Sequence, residues 1–214
     1  MNKIKAALAG HRQHVCMGMD RFLRFLDWDQ VTNPKDADVL FFTGGEDISP
    51  DLYNEERHQS TGFSKYRDTV ELDDLNEFTS EGKRKVIGVC RGAQFLTAIT
   101  GGKLIQVVTD HAGRLHQVMT TDGVLIDVNS YHHQMCLPNP SVTTPLGWAL
   151  GVAQELHGLP KGMQVSDSFV EPEAFNIRTK ELDALCFQYH PEFGSMPKNG
   201  MDWTVDKVLK WIGQ

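Results

Sequence analysis

Short apolar runs alternate with longer amphipathic stretches along this chain. Four of the runs have the length of buried strands, at residues 4–8, 39–42, 86–89 and 184–189. Four longer stretches space their apolar side chains as one face of a helix does, at residues 17–28, 67–78, 91–99 and 202–212. Strands that alternate with helices predict an α/β fold, a three-layer sandwich in which helices cover both faces of a mainly parallel central sheet.

Three weaker features complete the pattern. Residues 104–108 and 124–128 are predicted to be additional strands. Residues 46–62 are polar and are predicted to form a surface loop. Asp68, with Glu71 three residues later, is typical of a capping box, so Asp68 is predicted to cap the helix that follows it.

Composition and charge narrow the class of protein. The 214 residues suffice for one domain, and residues 1–214 are predicted to form it, although residues 147–170 show no clear period. The net charge of −7 argues against a nucleic-acid surface, and no apolar run approaches the about 18 residues of a membrane span. A reducing, cytoplasmic location is expected, because neither a disulfide scaffold nor a metal site is indicated by the spacing of the cysteines, which are Cys16, Cys90, Cys136 and Cys186.

Cys90 lies at the junction of a predicted strand and a predicted helix. Gly88 and Gly92 flank it two residues away on either side, which is the cysteine form of the nucleophile elbow. An elbow exposes its sulfur at a helix N-terminus, where the helix dipole and free N–H groups favour a thiolate and can bind an oxyanion. Cys90 is therefore the candidate nucleophile. The alternative is a buried structural cysteine between two ordinary glycines.

A candidate base and its orienting group follow the last predicted strand. His190 and Glu192 are separated by Pro191, and residues two apart in an extended segment point the same way. Glu192 can accept the second N–H of His190, fix its tautomer and stabilise the imidazolium form. Because Cys90 and His190 both follow strand C-termini, they are predicted to share one site.

Two other polar segments follow predicted strands. Gly44 and Gly45 come directly after the strand at residues 39–42, where glycines permit a close approach of the backbone to a ligand; a simple turn is the alternative. Residues 129–134, Asn-Ser-Tyr-His-His-Gln, form a dense polar cluster after the strand at residues 124–128. No metal is expected, because metal-ligand spacing is lacking among the histidines of this region, which are His111, His116, His132 and His133.

These motifs resemble those of the class I glutamine amidotransferase superfamily. The resemblance rests on Gly-Val-Cys-Arg-Gly-Ala-Gln at residues 88–94 and on His-Pro-Glu at residues 190–192. Three further segments are similar to its γ-glutamyl hydrolase branch, which includes hydrolases of γ-glutamyl-polyamine and γ-glutamyl-γ-aminobutyrate; they are residues 44–50 with Tyr53, residues 67–71 and residues 129–134. The matches follow the family's order over most of the chain, and they imply its flavodoxin-like fold.

The resemblance also implies a site and a reaction. Cys90 would be the nucleophile, His190 the base and Glu192 its orienting group. The oxyanion hole would combine the N–H of Arg91 with one from the loop at Gly44 and Gly45. The γ-glutamyl group of a small-molecule substrate would be held by Gln94, Ser130, Tyr131 and His132. The reaction would cleave a γ-amide through a γ-glutamyl thioester, with no metal and no organic cofactor.

Departures from the family pattern concern the leaving group more than the chemistry. Thr43 stands where the family usually has proline, and Val107 where the branch usually has aspartate. The leading hypothesis is a self-sufficient hydrolase of a γ-glutamyl amine or glutamine. One alternative is a glutaminase subunit that delivers ammonia to a separate synthase or ligase partner, and another is an inactive binding relative. The sequence leaves open which amine is released and whether the chain forms a homodimer.

Overall fold

The strands of the chain gather into one large sheet and two small ribbons. A computed structural model describes residues 3–10, 18–109, 111–151, 155–164 and 170–214. The strands in these ranges are β1 (Lys5–Leu8), β2 (Asp29–Gln30), β3 (Val39–Phe42), β4 (Arg84–Val89), β5 (Lys103–Ile105), β6 (Val107–Val108), β7 (Arg114–Thr120), β8 (Leu125–Ser130), β9 (Met135–Leu137), β10 (Thr143–Ala149), β11 (Leu156–His157), β12 (Pro172–Arg178) and β13 (Leu182–Phe187). The α-helices are α1 (Met19–Leu26), α2 (Lys65–Thr79), α3 (Arg91–Ile99) and α4 (Lys198–Ile212), and 3-10 turns lie at Pro34–Asp36 and Pro50–Tyr53.

The large sheet is parallel on one side and antiparallel on the other. Within the described ranges its strand order is β2-β1-β3-β4-β13-β12-β10-β7-β8. Neighbours from β2 to β13 run parallel, and neighbours from β13 to β8 run antiparallel. The register of the central strands places Phe42 opposite Gly88 and Phe187 opposite Val89. The segments that follow β3, β4 and β13 therefore emerge together at one edge, where ligands bind in α/β sheets.

A buried cluster on each face of the sheet holds the helices in place. On one face, Phe22 of α1 and Val208 of α4 pack in the same cluster as Phe187 of β13. On the other face, Phe95 of α3 shares a cluster with Cys186, the preceding residue of β13. Successive residues of a strand point to opposite faces, so each central strand is buried from both sides. The three-layer α/β sandwich predicted from the sequence is confirmed.

Two of the four antiparallel pairings, β12 with β13 and β7 with β8, follow from short connections between consecutive strands. The turn that joins β12 to β13 is closed by a hydrogen bond from the Thr179 N–H to the Leu182 carbonyl at 2.9 Å. The turn between β7 and β8 is closed by the Thr120 N–H and the Val124 carbonyl at 3.0 Å, with Gly123 at a φ of 79°. Connections of this length cannot cross over to a parallel neighbour, so the strands must reverse direction.

Residues 46–62 form only in part the surface loop that the sequence predicted: Arg57 and Gln59 are exposed, but other members of the segment are buried. Ile48 and Thr61 are fully buried. Gln106 divides the predicted strand at residues 104–108 into β5 and β6, and its side-chain oxygen accepts a hydrogen bond from the Thr61 hydroxyl at 2.8 Å. The polar composition of the segment therefore reflects internal hydrogen bonds, because buried polar groups must find partners.

The predicted capping box at Asp68 is wrong. Helix α2 begins one residue after Ser64, whose hydroxyl accepts a hydrogen bond from the Arg67 N–H at 3.3 Å and caps the helix. Asp68 lies within the first turn. Its carboxylate accepts a hydrogen bond from the Ser49 N–H at 2.9 Å and pairs with Arg91 at 2.6 Å. The carboxylate of Asp68, which the local sequence pattern assigned to the helix cap, thus forms an ion pair with a residue distant in sequence instead.

Some predictions fall outside the described residues. Cys16 and Met17 are among them, so the predicted start of the first helix is not described. Residues 152–154 and 165–169 are also outside, which leaves only parts of the stretch at 147–170 to compare. Those parts include the end of β10 and all of β11. None of the helices in the described ranges has the length and apolar character needed to cross a bilayer.

Candidate active site

Cys90 occupies a strained turn between β4 and α3. Its φ of 50° and ψ of −108° lie outside the regions that non-glycine residues normally adopt. The Cys90 N–H donates to the Phe187 carbonyl at 2.7 Å, and the Cys90 carbonyl accepts from the Gln94 N–H at 3.0 Å. The sheet holds one side of the turn and the helix holds the other. The thiol is consequently fixed at the N-terminus of α3.

Two glycines allow this turn to pack as closely as it does. A Cβ atom at Gly92 would overlap the Phe42 carbonyl of the neighbouring strand. A Cβ atom at Gly88 would lie 2.8 Å from the Ala93 nitrogen. The backbones of β3, β4 and α3 therefore approach one another more closely than side chains would allow. This geometry is that of the nucleophile elbow and argues against two ordinary glycines.

His190 and Glu192 are paired beside the elbow, as the spacing predicted. His190 Nδ1 lies 2.7 Å from Glu192 Oε1, and both side chains are buried. This bond leaves Nε2 as the ring nitrogen that can serve a reacting group. The ring stacks on Phe193 with a centroid separation of 4.3 Å, and the edge of Tyr131 faces it at 5.8 Å. Packing on these sides orients the imidazole.

The electrostatics of His190 favour its charged form. Burial disfavours the imidazolium, but the charge of Cys90 and its hydrogen bond to the ring, together with Glu192, outweigh burial and raise the pKa of His190 from 6.5 to about 10. His190 is therefore charged at neutral pH, and an imidazolium beside a cysteine at a helix N-terminus is a setting that activates the thiol as a nucleophile.

Asn129 fixes the backbone of His190, a role that the sequence analysis did not assign. The Asn129 side-chain amide donates to the His190 carbonyl at 2.9 Å, and its oxygen accepts from the His190 N–H at 2.9 Å. Strand β8 extends beyond the predicted end at residue 128, so Asn129 lies in the strand and not after it. The sequence feature that could have identified Asn129 was its position in the polar segment at residues 129–134.

The loop after β3 is held by one guanidinium group. Arg67 Nη2 donates to the carbonyls of Thr43 and Gly44, each at 3.1 Å. In a trans peptide the N–H points opposite to the C=O, so the N–H groups of Gly44 and Gly45 point away from Arg67. A Cβ atom at Gly44 would lie 2.6 Å from His190 Cε1. The loop is therefore rigidly held against the His190 ring, with its donors directed away from α2.

The elbow and this loop are joined by a buried network of four charges. Arg67 Nε pairs with Glu71 at 2.8 Å, and Arg91 pairs with both Glu71 and Asp68. All four side chains are buried, and every charge has an opposite partner, as buried charges require. Arg91 directs its side chain into this network, which leaves its backbone N–H at the start of α3. The sequence analysis placed Asp68 and Glu71 in a helix cap and did not foresee the network.

The predicted substrate residues are brought only partly together. Tyr131 lies beside His190, is 46% exposed and donates a hydrogen bond to Ser195 Oγ at 3.1 Å. Ser130 is fully buried, and its hydroxyl has no hydrogen-bond partner among the described residues. Gln94 is buried on α3, one turn from the thiol. The ring of His132 faces Glu173 at 3.3 Å, on the antiparallel side of the sheet.

The other described thiols lack an activating environment. Cys136 and Cys186 are fully buried, and burial raises the pKa of each thiol well above its ordinary value. Cys136 donates to the Gln188 side-chain oxygen at 3.0 Å, which is a structural contact. Of the three described cysteines, Cys90 alone lies at a helix N-terminus next to a histidine.

Comparison with known families agrees with this geometry. The Peptidase C26 family profile matches residues 31–192, a range that contains the elbow, the His190–Glu192 pair and the Arg67 loop clamp. The chain belongs to the Peptidase C26 family. Membership of Peptidase C26 and the glutamine amidotransferase-like relatives of this chain support a hydrolase or amidotransferase.

Curated and solved relatives of this Peptidase C26 chain point to the same superfamily. The glutamine amidotransferase-like protein YvdE of Lactococcus lactis is 30% identical over 177 residues, covering 73% of this chain and 66% of that protein. The carbamoyl phosphate synthase small chain of Clostridium perfringens is 23% identical, covering 65% of this chain and 36% of that protein. A solved GMP synthase subunit from Thermoplasma acidophilum aligns with a TM-score of 0.59 at 18% identity, covering 100% of this chain and 94% of that one.

These figures define what the comparisons establish. The solved structure confirms the class I glutamine amidotransferase-like fold. This Peptidase C26 chain spans less than two thirds of the length of the curated relatives, 66% of YvdE and 36% of the synthase small chain. The activity, substrate and partners of the whole protein are therefore matters for a proposal.

Proposed function

We propose that this protein hydrolyses the γ-glutamyl amide bond of a γ-glutamyl amine through a γ-glutamyl thioester. The observation that carries the proposal is the placement of Cys90 in a strained elbow beside the charged pair of His190 and Glu192. This arrangement has the nucleophile, base and orienting group of cysteine acyl transfer. Membership of Peptidase C26 supports the same chemistry.

The first half of the proposed reaction forms the thioester. The Cys90 thiolate attacks the γ-carbonyl carbon, and the carbonyl electrons move to oxygen. The N–H of Arg91 and one N–H of the Gly44–Gly45 loop stabilise the oxyanion. His190 then donates its proton to the amide nitrogen, the C–N bond breaks, and the amine departs. Glu192 stabilises the imidazolium before this transfer.

The second half releases glutamate. Neutral His190 accepts a proton from water while the water oxygen attacks the thioester carbon. The same backbone donors bind the second oxyanion. The C–S bond breaks, Cys90 leaves as thiolate, and the proton remains on His190. Each turnover thus restores the thiolate–imidazolium pair and consumes one water molecule.

The γ-glutamyl group is assigned to side chains around His190. Tyr131 is half-exposed beside the ring, whereas Ser130 is fully buried and has weaker support as a substrate residue. Gln94, one turn into α3, completes the set. His132 has weaker support as a substrate residue, because its ring faces Glu173 instead.

Self-sufficiency is supported by contacts within the chain. The loop that would supply the oxyanion donor is held by Arg67, and Arg67 is itself held by Glu46 at 2.9 Å and Glu71 at 2.8 Å. Asp47, next to Glu46, pairs with His133 at 2.8 Å and so connects the segment after the Gly44–Gly45 loop to the polar segment of residues 129–134. An enzyme that waits for a partner is expected to complete its site only on docking.

A second candidate is a glutaminase that passes ammonia to a synthase partner. Two relatives favour it: a carbamoyl phosphate synthase small chain by sequence and a GMP synthase subunit by fold. In that case the same thioester would form from glutamine, and ammonia would be the leaving group. The two candidates share their chemistry and differ in the leaving group and in the need for a partner.

The experiment that tests the proposal uses the purified chain without ATP or partner. Glutamate release is measured with γ-glutamyl amides of a diamine and of γ-aminobutyrate, and with glutamine. We expect at least one γ-glutamyl amine to have a higher kcat/KM than glutamine, and Cys90→Ala to remove the activity. Glutamine hydrolysis that appears only with an added synthase would favour the second candidate. Glutamate release that persists in Cys90→Ala would contradict both.

A further inference from the structure

A second constellation of ionisable side chains lies on the antiparallel side of the sheet. His111 precedes β7 and His116 lies in it, His132 follows β8, Glu171 directly precedes β12 and Glu173 is its second residue. We propose that His111, His132, Glu171 and Glu173 bind one divalent transition-metal ion, with Zn²⁺ as the best fit and His116 beside them. This proposal does not depend on the proposed hydrolase activity.

The separations between these donors leave room for an ion. His111 Nε2 lies 3.1 Å from Glu171 Oε1 and 3.6 Å from Glu173 Oε1, and His132 Nε2 lies 3.3 Å from Glu173 Oε1. One donor atom of each residue lies within 4.8 Å of the others. Zinc binds nitrogen and carboxylate oxygen at about 2.0–2.2 Å, so tetrahedral ligands are separated by roughly 3.3 Å. Direct charged hydrogen bonds would be shorter, at about 2.7–2.9 Å.

The donor atoms are buried without hydrogen bonds. His111, His132, Glu171 and Glu173 are each at most 8% exposed. Among the described residues, no hydrogen bond of acceptable geometry reaches Nε2 of either histidine or any carboxylate oxygen of the two glutamates. Buried carboxylates require a cation nearby, and the ion-pair partners that the structure gives them are histidines. One divalent ion would neutralise both carboxylates and leave the rings neutral.

The tautomer of His132 suits metal binding. His132 Nδ1 lies 2.9 Å from the Gln134 carbonyl, which can only accept, so Nδ1 carries the hydrogen. In the neutral ring, Nε2 then presents a lone pair to the Glu173 carboxylate, and two acceptors that face each other repel unless a proton or metal lies between them. A ring held by a backbone carbonyl through one nitrogen, with the other directed at a donor set, is typical of metal-binding histidine.

A proton is the competing occupant. A metal must displace any proton held between these imidazole and carboxylate groups, so its affinity is expected to rise with pH. The mixture of imidazole and carboxylate favours zinc and similar transition metals over calcium and magnesium, which take oxygen ligands.

The position of the cluster indicates a structural role. Its four ligands are buried, and a closed ligand set is typical of structural rather than catalytic metal. The Glu173 carbonyl accepts the Gln188 N–H at 2.9 Å, and Gln188 precedes His190 by two residues. His132 adjoins Tyr131, which contacts the His190 ring. The ion would therefore fasten the segment after β8 to β12, behind the candidate active site.

The test measures metal binding by the purified chain after dialysis against a chelator. With Zn²⁺ at pH 8 we expect one equivalent to bind and the thermal midpoint to rise. With Co²⁺ we expect visible absorption bands of a four-coordinate ion, a readout that does not require activity. His111→Asn and Glu173→Gln should each weaken binding by more than about 100-fold, since loss of a second-shell partner alone costs about 10–100-fold.

Glu155→Gln is the matched control. It removes the acid of an exposed His–Glu pair, with His157 Nε2 3.4 Å from Glu155 Oε2, and should bind Zn²⁺ as wild type does. Cys90→Ala should also keep the site, which separates it from the thiol. The proposal is overturned if wild type binds neither Zn²⁺ nor Co²⁺ at pH 8, a result that needs no variant to fold. It is also overturned if folded His111→Asn binds as tightly as wild type.

Discussion

Cys90, His190 and Glu192 act on one another through charge, and each is expected to tolerate substitution differently. In the proposed reaction Cys90 and His190 form and break bonds, so replacing either by alanine should remove nearly all turnover. Glu192→Gln keeps a side chain of the same shape on His190 and should leave a measurable remainder, about a hundredfold above the other two. Steady-state kinetics of the folded variants measures this, and a Glu192→Gln enzyme as inactive as Cys90→Ala would contradict the assignment.

Cys90 is also expected to react first with an alkylating agent. Its thiol is paired with a charged His190, whereas burial raises the pKa of the thiols of Cys136 and Cys186. Iodoacetamide at mildly acidic pH, followed by peptide mapping, should therefore label Cys90 preferentially. His190→Ala supplies the control, because loss of the imidazolium should slow labelling of Cys90. Faster labelling of Cys16, Cys136 or Cys186 would contradict the elbow as an activating site.

At the scale of elements, the loop after β3 and helix α2 work as a unit through Arg67. Arg67→Lys keeps the positive charge beside Glu71. A single ammonium group, however, cannot bind the two loop carbonyls and both Glu46 and Glu71 at once, as the guanidinium does. We expect kcat to fall by about 10–100-fold with little change in KM, somewhat less than the about 10²–10³-fold loss of one oxyanion donor. Kinetics and thermal unfolding of the same preparation measure the two effects.

Two controls distinguish a specific effect on the loop after β3 from a general loss of folded structure. Arg84→Lys alters a half-buried arginine that pairs with Glu81 at 3.3 Å, away from the loop after β3, and its activity should match wild type. Iodoacetamide labelling of Cys90 in Arg67→Lys should stay at the wild-type rate, because the elbow is held by other bonds. Unchanged kcat in Arg67→Lys would mean that the clamp on the loop does not matter for the reaction.

Elements were predictable from sequence where local pattern determines them. The strand at residues 39–42 and the helix at residues 91–99 were predicted with the bounds observed. The strand is a fully apolar run, and the helix has its apolar side chains on one face. Asp68 was misassigned because a capping box is a local rule and its carboxylate is used by Arg91, which is distant in sequence. The burial of Thr61 was missed for the same reason, since its partner is Gln106.

At the scale of the whole molecule, the sequence could predict that two distant residues lie close together only where both follow parallel strands. Cys90 and His190 are such a pair, because they follow the neighbouring strands β4 and β13, whose C-terminal ends coincide. The His–Glu cluster could not be assembled in this way, because His116 and Glu173 lie in antiparallel strands whose place in the sheet no spacing rule specifies. Asn129 and its hold on His190 likewise depend on how the two halves of the sheet meet.

The charge pair at the site should affect the stability of the whole fold. The pKa of His190 is raised from 6.5 to about 10, so its protonation favours the native state. This contribution is complete below about pH 6.5 and is lost as the pH rises through about 10. Denaturant unfolding at pH 7 and pH 10 should show a larger loss of stability in wild type than in Cys90→Ala, which lacks the charge that raises the pKa. Equal losses would contradict the pairing.

The side chain and the backbone of Arg91 contribute to different parts of the site, and this determines which substitutions at position 91 the site can tolerate. Its guanidinium serves the ion network with α2, whereas only its backbone N–H serves the proposed oxyanion hole. Most substitutions at position 91 therefore leave Asp68 without its buried partner and are expected to destabilise the fold, while the backbone donor survives. Proline is the exception, because the first position of a helix accepts proline but proline carries no N–H. Arg91→Pro would therefore remove both the proposed oxyanion donor and the buried partner of Asp68 in one substitution.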